Sequence, residues 1–86
     1  MYELNVETKG RTELIDITDQ LEKLLGQEGL EESFVYIFCP HTTAGLLINE
    51  GYDDDVSKDF IETMADLIPW NNNYKHLEGN SAAHIK

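Results

Sequence analysis

Tyr2, Leu4 and Val6 alternate with Glu3, Asn5 and Glu7. That period of two predicts a half-buried strand. Lys9-Gly10-Arg11 reads as a turn and residues 12–17 as a second strand, so residues 2–17 are expected to form a hairpin. The period then changes. Leu21, Leu24 and Leu25 share one helical face, with Thr18 or Asp19 as the cap and Glu22 at capping-box spacing from Asp19. Gly26 is expected to close this short helix. Residues 33–39, Ser-Phe-Val-Tyr-Ile-Phe-Cys, form an almost unbroken apolar run, and residues 45–50, Gly-Leu-Leu-Ile-Asn-Glu, form another. Both read as strands covered on both faces. Pro40, His41, Thr42, Thr43 and Ala44 lie between them. Pro40 has no N–H to donate, which places this loop at the rim of a sheet.

A second helix is the clearest element. Val56, Phe60, Met64 and Leu67 fall on one face, Asp53, Asp54 and Asp55 gather where the macrodipole favours negative charge, and Pro69 ends the helix at Ile68. From Trp70 onward the chain is polar, rich in Asn and aperiodic, and reads as an irregular loop. The order is β-β-α-β-β-α followed by loop, an α+β class in a single domain over residues 1–86.

Charge narrows the partners. Seventeen acidic and six basic residues give a formal net charge of −11. A chain without a basic footprint is not expected to bind nucleic acid or to dock on anionic lipid. Its carboxylates suit divalent cations instead. One cysteine, Cys39, cannot form an internal disulfide, and the start of the chain has no leader pattern. A cytoplasmic protein away from membranes is therefore expected.

His41, His76 and His84 all lie in segments read as loops. Three imidazoles with an open fourth position make a catalytic zinc arrangement, although this spacing matches no local zinc signature. Thr42 and Thr43 offer hydroxyls to a phosphate oxygen, or bond back to the main chain of a turn. Glu50 at a strand end suits a general base, a metal ligand or a partner orienting an imidazole, and equally a solvated strand end. Asp53 with Asp54 and Asp55 suits Mg²⁺ held against a phosphate, or plain helix capping. Cys39 two residues before His41 invites a thiolate–imidazole reading. A cysteine that ends an apolar run reads better as strand packing. No P-loop or dinucleotide fingerprint is present.

Taken together, His41-Thr42-Thr43-Ala44 with Asn49-Glu50, then Asp53 and Asp55-Val56, then Tyr74, His76, Glu78 and Gly79, and finally Ala83-His84-Ile85-Lys86 resemble the YjbQ family. Its members are described as secondary thiamine-phosphate synthases. The resemblance implies a β-sandwich-like α+β fold assembled as a homotrimer. It implies a site of His41, Glu50 and His84 as catalytic residues, with Thr42, Thr43, Asn49 and Asp53 on the substrate. A divalent metal, zinc or magnesium, would be held by His41, His76 and His84. The implied reaction joins a hydroxymethylpyrimidine diphosphate to a thiazole phosphate and releases pyrophosphate. Family members continue past the final motif with further strands, so the resemblance also implies that residues 1–86 are the N-terminal portion of a longer domain. Two other readings stand beside the enzyme: a non-catalytic metal- or anion-binding module, and a structural trimerising domain.

Overall fold

The computed structural model of the chain describes residues 1–30 and 34–86. Three helices form: α1 (Thr18–Gln27), α2 (Asp54–Leu67) and α3 (Ser81–Ile85). The chain divides into two compact units, Met1–Ile37 and Phe38–Lys86.

In the first unit, α1 presents Leu21, Leu24 and Leu25 half-buried, the face expected from their spacing. Its ends differ from expectation. Neither Thr18 nor Asp19 caps it. The Thr18 N–H instead donates to Asp16 Oδ1 at 2.9 Å, so Asp16 receives the helix start. The Thr18 side chain first, and its N–H second, hydrogen-bond the Asp16 carboxyl and hold it below its ordinary value, because such bonds favour the charged form. The helix also runs past Gly26. Gly29, at φ 67°, takes the left-handed position, and the Leu30 N–H returns to the Leu25 carbonyl at 2.8 Å. The turn at residues 9–11 is closed by the Glu13 carboxylate, which accepts the Lys9 N–H at 2.6 Å.

In the second unit, α2 forms as its periodicity predicts. Val56, Phe60 and Met64 are half-buried, but Leu67, expected on the same face, is exposed. Asp53 is the N-cap, its Oδ1 accepting the Asp55 N–H at 2.9 Å. The Ile68 N–H still reaches the Met64 carbonyl at 2.8 Å, and Pro69 follows. Lys58 lies 3.8 Å from Asp55, a solvent-exposed pair that contributes little to stability. The segment read as loop after Trp70 contains α3. Its Ala82 is the one fully buried residue among those described.

The expected β-β-α-β-β-α order and β-sandwich require correction: no residue among those described is in a strand. Part of the expected strand at 33–39 begins at Ser33, outside the described residues. Outside the helices, the main-chain hydrogen bonds of the described residues join positions no more than five apart. A strand exists only through a ladder to a second strand. Alternation decides which side chains share a face, and it does not supply that partner. Exposure alternates along residues 34–37, where no alternation was expected: Phe34 and Tyr36 are 99% and 98% exposed, while Val35 and Ile37 are about half as exposed. The expectation that both runs are covered on both faces is likewise overturned, since Ile48 is fully exposed.

Candidate functional site

All the candidate residues fall in the second unit. His41 opens a four-residue turn in which its own carbonyl accepts the Ala44 N–H at 3.4 Å. Thr42 and Thr43 occupy the exposed centre of that turn. The main chain closes the turn, which leaves both hydroxyls pointing to no intramolecular partner among the described residues.

Residues 49–55 form a relay of side-chain acceptors leading into α2. Asn49 Oδ1 accepts the Glu50 N–H at 2.8 Å. Glu50 uses both carboxylate oxygens: Oε1 accepts the Tyr52 N–H at 3.2 Å, and Oε2 the Asp53 N–H at 3.0 Å. Asp53 in turn caps α2. Glu50 and Asp53 thus satisfy amide donors that a helix start would otherwise leave open. In this arrangement Glu50 fixes the chain entering α2 and orients no imidazole among the described residues.

The closing segment brings two histidines together. His76 and His84 meet edge to face, with ring centroids 5.2 Å apart and planes at 89°. Glu78 Oε2 lies 3.6 Å from His76 Nε2. His84 lies eight positions after His76, too far for one helical turn. Gly79 makes the meeting possible: at φ 78° it reverses the chain between Glu78 and α3. His84 then sits in the last turn of α3, where a cation is favoured by the exposed carbonyls.

His76 also lines a cleft of about 150 Å³ with Trp70, Asn71, Asn72, Tyr74, Gly79 and Ser81. One wall is held in place by Tyr74, whose hydroxyl donates to the Pro69 carbonyl at 2.6 Å while its N–H donates to the Asn72 carbonyl at 2.9 Å. Trp70, Asn71, Asn72 and Ser81 were not among the residues singled out from sequence. The change from periodic to polar chain at Trp70 is the signal that marks where they begin.

The structure therefore unites His76, His84 and Glu78, and separately Asn49, Glu50 and Asp53. Among the described residues, no three His, Cys, Asp or Glu side chains form a group able to hold a metal ion. His41 does not complete the trio with His76 and His84. The donor set for a three-histidine metal is thus not assembled here. No helix among the described residues is long and apolar enough to cross a membrane.

The family described as "UPF0047 protein YjbQ-like" matches residues 2–86. The chain is 44% identical over 84 residues to the UPF0047 protein YugU of Bacillus subtilis, covering 96% of the chain and 64% of YugU. It is 42% identical over 86 residues to the UPF0047 protein MJ1081 of Methanocaldococcus jannaschii, covering 100% of the chain and 62% of that protein. A crystal structure of an uncharacterized conserved protein of the YjbQ/UPF0047 family from Clostridium acetobutylicum is similar with a TM-score of 0.79 at 38% identity, covering 93% of this chain and 62% of that one. The chain thus spans a little under two thirds of the length of these relatives.

Proposed function

Because the chain belongs to the YjbQ-like UPF0047 family, we propose that it acts on a phosphorylated small molecule held at the cleft beside His76 and His84. The observation that carries this reading is that His76, which lines a polar cleft with Trp70 and Tyr74, also meets the imidazole of His84 edge to face. In a chain of net charge −11, a phosphate needs donors concentrated at one place. Imidazole is the side chain whose charge changes near neutral pH, so a paired site can both bind a phosphate oxygen and hand over a proton.

Within the proposal His84 and His76 bind the phosphate, and His41 with Thr42 and Thr43 supplies a second set of donors from its turn. Asn49, Glu50 and Asp53 hold the approach to α2, with Glu50 as a positioning residue. The reaction class is that of the resemblance, condensation of a pyrimidine diphosphate with a thiazole phosphate. Diphosphate leaves with developing negative charge, which the imidazole donors offset. Zinc or magnesium would meet two nitrogen donors at His76 and His84, fewer than the three protein ligands usual for catalytic zinc. The homotrimer implied by the resemblance and the cytoplasmic location expected from the single cysteine belong to the same proposal.

The test has two parts. Calorimetric titration of the chain with hydroxymethylpyrimidine diphosphate and with thiazole phosphate is expected to show binding that His76→Ala and His84→Ala each weaken measurably. Chromatography of the mixture is expected to show thiamine phosphate, and the yield should fall on His41→Ala. Binding without product would support the second reading, a non-catalytic anion-binding module. Binding unchanged in both histidine variants would refute the site.

A further inference from the structure

Asn80 Oδ1 is buried and has no hydrogen-bond partner among the described residues. A buried acceptor without a donor is costly, and folded chains keep few of them. The residue itself is firmly placed. Its carbonyl accepts the Ala83 N–H at 3.0 Å and the His84 N–H at 3.3 Å, which fixes Asn80 at the start of α3. Its side chain makes no cap bond to that helix, so the orphaned oxygen does not serve α3. Gly79 and Ser81, on either side of Asn80 in the chain, both line the cleft that His76 lines.

The rest of the cleft suits a flat ring. Trp70, Tyr74 and His76 contribute three aromatic side chains to its walls, and the Tyr74 hydroxyl is tied to the Pro69 carbonyl at 2.6 Å. Aromatic walls favour planar rings through stacking. The cleft volume is about 150 Å³. An apolar cavity of roughly that size holds one benzene molecule, so a single six-membered ring fits and a phosphate attached to it stays outside. Asn71, Asn72 and Ser81 give this cleft a polar lining, which favours a ring with polar substituents. We propose that the cleft is a subsite for a planar nitrogen heterocycle carrying an amine, with Asn80 Oδ1 accepting a hydrogen bond from that amine and Trp70 stacking on the ring. This rests on the cleft being the ligand site, and it adds the residues that select the ring, none of which binds the phosphate. An amine N–H supplies the donor that the buried oxygen lacks. A ring without an amine leaves that oxygen unpaired, and the difference sets the preference.

Trp70 is the one tryptophan of the sequence, so its indole N–H gives a single identifiable signal in ¹H–¹⁵N spectra. 4-Aminopyrimidine and unsubstituted pyrimidine are titrated against that signal. Inorganic pyrophosphate is titrated separately against the ring protons of His76 and His84. The amine-bearing ring is expected to bind roughly tenfold more tightly than pyrimidine, the discrimination typical of one hydrogen bond. Asn80→Ala should remove that preference without weakening pyrimidine. Asn80→Asp retains an acceptor oxygen and should keep the preference. Both variants should match the helical circular dichroism of the parent, because the side chain caps nothing. Equal affinity for the two rings, a preference that survives Asn80→Ala, or one lost in Asn80→Asp would each overturn the proposal. Pyrophosphate binding with neither ring bound would overturn the ring subsite and leave the phosphate site standing. Ring binding with the stated preference and no pyrophosphate response would do the reverse.

Discussion

The imidazole of His84 stands edge-on to that of His76, ring centroids 5.2 Å apart at 89°. Neither residue is near the other in sequence terms that a helix or strand would explain. Their meeting depends on the reversal at Gly79 and on the single turn of α3 that carries His84.

The two rings should act as a unit. An edge-to-face aromatic pair contributes about 0.5–1.5 kcal/mol beyond burial. His76→Ala, His84→Ala and the double variant, measured for phosphate-ligand affinity, should therefore be non-additive: the second deletion costs much less than the first. Strictly additive losses would show that the two histidines bind separately.

Gly79 is expected to be the sensitive backbone position. A Cβ added there meets nothing within 4 Å, so sterics against neighbours are not the issue. Its φ of 78° is, and an L-residue in that region costs roughly 1–2 kcal/mol. Gly79→Ala should break the His76–His84 contact, seen as loss of the ring-to-ring nuclear Overhauser effects. Gly45→Ala, where space is also open and φ is not positive, is the control that should leave those signals intact.

Glu50 needs both its oxygens. Gln keeps one acceptor and turns an NH₂ group toward a second N–H, so Glu50→Gln should lose one of the bonds to Tyr52 and Asp53. We expect fraying of the first turn of α2, read from the chemical shifts of residues 54–57. Asp53→Ala removes the cap bond to Asp55 and should cost about 1 kcal/mol of helix stability. Asn80→Ala should cost far less, because the Asn80 side chain makes no cap bond to α3.

The start of α1 should be acid-sensitive through Asp16. Its folded pKa lies below the ordinary 3.8 because Thr18 bonds to the carboxylate. A depressed folded pKa gives stabilisation that is full above the unfolded value and is lost as pH falls through the folded one. Shifts of residues 18–20 should therefore move toward coil below pH 3.8. Asp16→Asn keeps an oxygen acceptor without the titration and should flatten that acid dependence.

Several of these features were legible in the residues themselves. The leucines at 21, 24 and 25 and the apolar positions 56, 60 and 64 repeat at helical spacing, and a helix closes its hydrogen bonds within a few residues. Asp53 as a cap and Pro69 as a stop follow from the same locality. α3 escaped notice because five residues are too few to show a period, although Ser81-Ala82-Ala83 is a helix-compatible start. The N-cap at Ile17, preceded by the Asp16 acceptor, in place of Thr18 or Asp19, and the left-handed stop at Gly29 in place of Gly26, are displacements of a few residues in elements correctly located.

What the sequence by itself determined was local: two helices, their apolar faces, the acidic entry to α2, and the loop that sets His41 between two apolar runs. The motifs also determined the family, because matching residues at 2–86 require no knowledge of contacts. Tertiary structure decided which histidines meet, since His76 and His84 converge only through the backbone reversal at Gly79 while His41 is held in a separate turn. It also decided the state of the apolar runs. Alternation from Tyr2 to Glu7 specifies faces, but a strand needs hydrogen bonds from another segment, and no ladder forms among the described residues.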